Sequence, residues 1–297
     1  MKQHFQQPIA KRSGRLFISV LAAAAAIGIS NLTAAGYPDR NPDGSINTGN
    51  ASTFLVLTHG DLNLSGSSSI TGKVGVGDSG NVNLSGRAHI NGSLTMNTKG
   101  KVNQSGSSGV NGTTTIDQGT LDTAWMDATN LGSAAGMESA TANYMVNGGM
   151  TGATIVSNVN LNNGAQMTIT DLTPGDKVVL SLQNFQLDKS STFTLQGTAT
   201  TTFIINVAKN FSLDHASQIT LLGVPSANVL FNLKGDGKIN AGSHASGIIL
   251  ALNGKVTLSG NTGGSNPTGS NVTNGQIIAK QVELSDSTRV VTPVTNP

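Results

Sequence analysis

GDLNLSGSSSITGKVGV (Gly60–Val76), GNVNLSGRAHINGSLTM (Gly80–Met96) and GKVNQSGSSGVNGTTTI (Gly100–Ile116) are three copies of one pattern, set at a constant interval. Gly60, Gly80 and Gly100 align, as do Asn63, Asn83 and Asn103, and Gly72, Gly92 and Gly112. Within each copy apolar residues alternate with polar ones: Leu62, Leu64, Ile70, Val74 and Val76 are answered by Val82, Leu84, Ile90, Leu94 and Met96. Period-two runs broken by Ser-Gly and Asn-Gly turns predict short strands. A fixed repeat of this length predicts coils that stack, with equivalent residues forming ladders at the strand spacing of roughly 4.8 Å.

A second array has a longer period. AsnValAsnLeuAsn from Asn158, AsnPheGlnLeuAsp from Asn184, AsnPheSerLeuAsp from Asn210 and AspGlyLysIleAsn from Asp236 again recur at a constant interval. Met167 and Ile169, Phe193 and Leu195, and Ile219 and Leu221 take matching inward positions. A degenerate last turn relates 207–215 to 278–286, and the Gly/Ser/Asn/Pro-rich stretch 259–275 before it is expected to project as a loop. Between the arrays Leu121, Ala124, Trp125, Ala128 and Leu131 fall on one side at helical spacing. That predicts an amphipathic helix of about three turns ending at Gly132 and covering a solenoid flank. Trp125, the single tryptophan, lies in the apolar stripe and is read as packing rather than as a ligand platform.

The first 35 residues have the parts of a secretory signal: a basic start with Lys2, Lys11, Arg12 and Arg15, an apolar run from Leu16 to Ile29, and small residues at Ala34 and Ala35. They hold four of the 17 Lys/Arg and none of the 15 Asp/Glu, so the remainder carries 13 cations against 15 anions, a net charge of −2. With the basicity confined to the export signal and no Lys/Arg cluster interleaved with aromatics, nucleic acid is not an expected partner. The absence of cysteine excludes disulfides, thiolate metal sites and thiol nucleophiles. The expected organisation is a removed signal (1–35), an N-terminal extension (36–52) and one all-β solenoid domain (53–297). Within that domain the first coil array spans 53–116, a helical insertion 117–146 and the second array 147–297. No membrane span is expected after the signal, and the final ValThrProValThrAsnPro is not a hydrophobic sorting tail.

The stretch PheLeuValLeuThrHisGlyAspLeuAsnLeuSer from Phe54 resembles the start of two groups of secreted bacterial β-solenoid proteins. So do the helix between the arrays, AlaAsnValLeuPheAsnLeu from Ala227, GlyIleIleLeuAlaLeuAsnGlyLysValThrLeuSer from Gly247 and AsnGlyGlnIleIleAla from Asn274. The two groups are the ice-binding-like family and the choice-of-anchor A domain of surface proteins. The resemblance covers nearly the whole chain after the signal. It implies a right-handed β-solenoid (β-helix) of triangular section with one α-helix alongside. Its coils are ~20-residue units in the first array and ~26-residue units in the second.

Two kinds of candidate site follow. The longer register stacks Asp188 on Asp214, with Lys189 and His215 beside them. Two carboxylates about one strand spacing apart could act as acid and nucleophile on a glycosidic bond, or hold a hard cation. The same column continues as Asn162 and Asn240, however, and Asn/Asp exchange at a corner is what turn geometry selects. No residue is therefore assigned as catalytic, no metal or other cofactor is expected, and Asp188, Asp214 and His215 are the enzymatic candidates to test. The second kind is an extended binding face. Thr168, Thr194 and Thr220 should form one outward ladder, and Thr71, Asn91 and Asn111 with Lys73, Ser93 and Thr113 another face of short polar side chains. The expected function is a secreted, non-enzymatic binding or structural protein of the extracellular matrix or cell surface. Its partner would be an extracellular polymer or glycan, with ice as the alternative and self-association through open solenoid ends as a further expectation.

Overall fold

The computed structural model describes residues 40–41, 43–141, 144–150, 156–260 and 272–292. The expected signal at 1–35 and residues 261–271 of the expected loop lie outside these. Each coil of the short-period array contributes three short strands, for example Leu62–Leu64, Ser69–Thr71 and Val74–Val76. In the long-period array two of the three merge into one bent strand such as Lys177–Leu187, whose pairing slips between Leu182 and Asn184 to turn the corner. The result is a β-solenoid with three parallel-stranded faces and one flanking helix: the stacked coils are those the repeats predicted, and the three faces those the resemblance implied.

The coils do not stack in sequence order. Leu62–Leu64 pairs on one side with Val82, Asn83 and Leu84, and on the other with Val282, Glu283 and Leu284. Ser69–Thr71 likewise lies between His89–Ile90 and Arg289–Val291. The first coil of the first array therefore sits on the last coil of the second, in the middle of the rod. The third copy, 100–116, forms one end, and Asn158–Leu161 and Gln166–Thr170 lie at the other, where Met145–Val146 and Gly149–Met150 add an antiparallel hairpin.

This order dictates the helix. The chain leaves the rod at Ile116 and must return to its far end, so α1 (Gln118–Met137, 20 residues) runs along the flank. A helix of that length spans about 30 Å, roughly six coil spacings of about 4.8 Å, and so covers about two thirds of the stack between Thr114–Ile116 and Asn158–Leu161. The helix is thus longer than the three turns expected, and it passes Gly132 without stopping. A Cβ at Gly132 would meet Leu252 Cδ1 at 2.7 Å and Leu250 Cδ2 at 3.2 Å, so glycine there gives clearance to the sheet. Asp117 caps the start by accepting from the Thr120 amide at 3.0 Å. Asn206 Nδ2 donates to the Ala135 carbonyl at 2.7 Å and Asn232 Nδ2 to that of Gly132 at 3.1 Å.

Two cores result. One fills the solenoid with inward residues of every coil, from Leu62, Ile70 and Val74 to Phe185, Phe193, Phe211 and Leu284. The other lies between α1 and the face it covers: Leu121, Ala124, Ala128, Leu131 and Ala135 meet Leu57, Val179, Ile204, Leu230, Leu250 and Ile278. Residues 43–53 belong to it too. Ile46 and Ala51 are buried there, and Asp127 accepts from the Asn50 amide at 2.7 Å. Trp125 is half-buried at its edge, stacked on His59 with ring centres 4.7 Å apart.

The corner glycines explain the strictness of the short repeat. A Cβ at Gly92 would lie 2.1 Å from the Gly72 carbonyl oxygen, and one at Gly112 2.3 Å from that of Gly92, so backbones meet directly at this corner. Gly92→Ala is expected to force the coils apart locally and lower unfolding free energy by about 1–3 kcal/mol, read as a shifted urea midpoint with unchanged slope. A wild-type midpoint would contradict the packing described.

Candidate functional site

One solenoid face is taken by α1, which leaves two exposed. The first, the amide face, carries outward columns of Asn, Ser and charged residues, among them Asp61, Lys101, Asp236, Lys238, Lys255 and Glu283. Here stacked asparagines bond along the rod: Asn184 Nδ2 to Asn158 Oδ1 at 3.0 Å and Asn210 Nδ2 to Asn184 Oδ1 at 2.7 Å. Lys255 and Glu283 form an ion pair at 2.8 Å, and the hydrogen bond that Lys255 donates to Glu283 holds the ammonium above the usual lysine range.

The second is the threonine face. Thr168, Thr194 and Thr220 pair in register and point outward, half-buried, while Ile169, Leu195, Phe193 and Ile219 point in. The column continues from Gln218↔His244 to Ser246, through the register positions of Asn274 and Val291, and then to Thr71, Asn91 and Asn111. The two threonine-containing groups expected on different faces are therefore one column. Two segments far apart in sequence become neighbours because the first array stacks on the last coil, a contact to which the internal repeats are blind. Lys73, Ser93 and Thr113 lie two residues further along each coil, at the corner leading to the helix face. The Lys73 ammonium sits 4.8 Å from the centre of the Phe54 ring.

A parallel column two residues earlier runs Gln166, Thr192, Gln218, His244, then Arg289, Ser69, His89 and Gly109. Sequence reading missed it. The signal was present, since Thr192 and Gln218 precede Thr194 and Thr220 by the strand period of two. Among the described outward positions of this face Arg289 is the one charged side chain, against the six named on the amide face. Asn111 Nδ2 donates to Asn91 Oδ1 at 2.7 Å and Thr170 Oγ1 to Gln196 Oε1 at 3.2 Å, so part of the surface is pinned by its own hydrogen bonds. Leu222, 47% exposed, and Val291 add apolar area beside the threonine methyls.

Burial on this face pulls the His244 imidazole below its ordinary value of 6.5. A histidine depressed in the fold contributes full stability above about pH 6.5 and loses it as the pH falls, because the unfolded chain then binds the proton more tightly. Urea midpoints are expected to drop between pH 7.5 and 5, and less so in His244→Gln. An equal drop in both would remove His244 as the cause.

The acidic candidates lie on the corner between the two exposed faces. Asp188 and Asp214 are stacked, as the register required, below Asn162 and above Asn240. Asp188 Oδ1 bonds His215 Nδ1 at 2.6 Å, and Asp214 Oδ1 accepts from Asn240 Nδ2 at 3.1 Å. The hydrogen bond from His215 keeps the Asp188 carboxyl below the usual carboxylate range, whereas a general acid at neutral pH needs it raised. Lys189, Ser190, His215 and Ala216, which follow the two aspartates, all have positive φ, so the column leads into a left-handed corner turn, and Asp188 Oδ1 accepts from the Lys189 amide at 2.8 Å. His215 is 67% exposed at this corner. No group of three or more His, Cys, Asp or Glu among the described residues is placed to hold a metal, and no described helix is long and apolar enough to cross a membrane.

Residues 47–289 match the sequence profile of the family described as "Putative Ice-binding-like adhesive domain". The chain belongs to this family. Solved structures of the same fold include an ice-binding protein from the Antarctic ascomycete Antarctomyces psychrotrophicus (17% identity, TM-score 0.50, covering 84% of this chain and 98% of that one). Another is an ice-binding protein from an Antarctic biological consortium (15% identity, TM-score 0.51, 86% and 95%). A third is a glycosylated ice-binding protein from an Arctic yeast (16% identity, TM-score 0.50, 87% and 98%). Identities this low establish a shared fold. No curated protein matches the chain. Within this ice-binding-like fold, the threonine face is the exposed surface freest of charge.

Proposed function

We propose that this ice-binding-like domain is a secreted, non-enzymatic protein that adsorbs to ice through the threonine face. The observation that carries the reading is the stacked column Thr168–Thr194–Thr220, continued through Ser246 to Thr71, Asn91 and Asn111, on a face with one charged outward side chain among the described residues. β-Branched threonine is stiff at χ1, so hydroxyls and methyls keep a fixed two-dimensional spacing set by the strands, roughly 4.8 Å along the rod and about 7 Å across it. Such a surface holds water between methyls while hydroxyls hydrogen-bond within that layer. The ice-binding proteins that share the fold support this choice of target, and the signal-like first 35 residues support export.

The test is ice recrystallisation. The purified chain lacking residues 1–35, at micromolar concentration, should keep small ice grains from coarsening. Grain growth equal to buffer would refute the proposal. The family's description as adhesive favours a second reading, attachment of the same face to a matrix polymer or cell surface. Pelleting with cells or matrix at temperatures where no ice exists would favour it over ice.

A further inference from the structure

A groove on the amide face has a chemistry different from that of the threonine face. It runs along the rod over the first array, encloses about 360 Å³, and is lined by Asn63, Asn83 and Asn103 on one side and Ser65, Ser85 and Ser105 on the other. Ser65, Ser85 and Ser105 lead into the corner turns in which Gly66, Gly86 and Gly106 take positive φ. Asn83 Nδ2 donates to Asn63 Oδ1 and Asn103 Nδ2 to Asn83 Oδ1, both at 2.8 Å. Each interior amide then keeps one N–H and one oxygen lone pair for a ligand. Among the described residues the hydroxyls of Ser65, Ser85 and Ser105 take no partner.

We infer that this groove binds an extended, neutral β-1,4-linked polysaccharide lying parallel to the rod. Three observations select that occupant. The polar lining consists of amides and hydroxyls that both donate and accept, and its single charge, Glu283, is paired with Lys255. An anionic polymer or nucleic acid therefore finds no cation there. The backbone amides along the floor are already bonded to neighbouring coils, as Ser85 N is to Leu64 O at 2.9 Å and Ser105 N to Leu84 O at 3.0 Å. A peptide could add a strand at the end of the rod, across the groove, but not along it. A sugar chain needs only side-chain amides and hydroxyls, and in an extended β-1,4 chain, whose neighbouring sugars are turned by about half a rotation, the hydroxyls on one side recur at roughly two coil spacings. The groove also runs to the solenoid end formed by 100–116, so a long polymer is not blocked.

The test uses the whole chain after the signal, with microcrystalline cellulose and chitin as solid phases and cellohexaose and chitohexaose as soluble probes. Retention on at least one solid phase, unchanged in 0.5 M salt (about 4 Å screening length), is expected. Ser85→Leu/Ser105→Leu, which fills the groove and leaves the asparagine ladder in place, should lower the bound fraction about tenfold, with an unchanged circular dichroism spectrum and unchanged ice recrystallisation activity. The soluble probe should shift the side-chain amide NMR signals of Asn63, Asn83 and Asn103. Absence of retention on both phases, retention equal in the filled-groove variant, or retention lost in salt would each overturn the inference, and none of them bears on the threonine face.

Discussion

A bulky maleimide attached at Thr194→Cys is expected to raise the concentration needed for ice recrystallisation inhibition at least tenfold, while the same label at Ser212→Cys leaves it within about twofold. The chain contains no cysteine, so each variant carries a single reactive thiol. Thr194 lies mid-column between Thr168 and Thr220, where a label stands between the face and any flat surface. Ser212 occupies an outward, half-buried position on the amide face, in the same bent strand system. A flat rigid target engages many coils at once, and one protruding group breaks contact on both sides of it. This is why a single site should cost more than its own hydrogen bonds would suggest. Equal inhibition by both labelled proteins would move the binding surface away from the threonine face.

Phe185→Ala should remove about 3–5 kcal/mol of unfolding free energy. Phe185 is fully buried at the hub of an aromatic cluster inside the second array. Its ring centre is 5.0 Å from that of Phe193 in an edge-on contact, 5.3 Å from Phe211 in a stacked one and 5.6 Å from Phe231. The three neighbours come from different strands held by parallel ladders, so they cannot close over the vacated volume without shifting coil spacing. The loss should exceed that of Val256→Ala, a smaller buried residue of the same core. Chemical denaturation of the two variants side by side measures it, and a loss below that of Val256→Ala would mean the cluster collapses freely.

Much of the fold was legible because the repeats state it locally. Asn158, Asn184 and Asn210 of the long repeat do pair in register, and so do Asn63, Asn83 and Asn103 of the short one. The inward positions at Ile70, Ile90, Phe193 and Leu195 follow from the same alternation. What periodicity does not carry is the contact between arrays. Ser68 Oγ reaches the Leu284 carbonyl across 216 residues of sequence, and nothing in either segment's pattern names the other. The course of the helix depends on that same stacking order, since the chain must pass along the coils that lie between Ile116 and the start of the second array. The threonine site was therefore half legible. Each segment was recognisable as an outward ladder, but their union into one column was not, and the serine–asparagine groove became visible only in the stacked coils.

The most direct test of the central claim is partition into ice. When a single ice crystal grows slowly in a dilute solution of the chain lacking residues 1–35, adsorption through the threonine face predicts that protein is overgrown and enriched in the solid. If the growing crystal instead excludes it into the remaining liquid, to the same extent as a protein without affinity for ice, the threonine face is not an ice-binding surface.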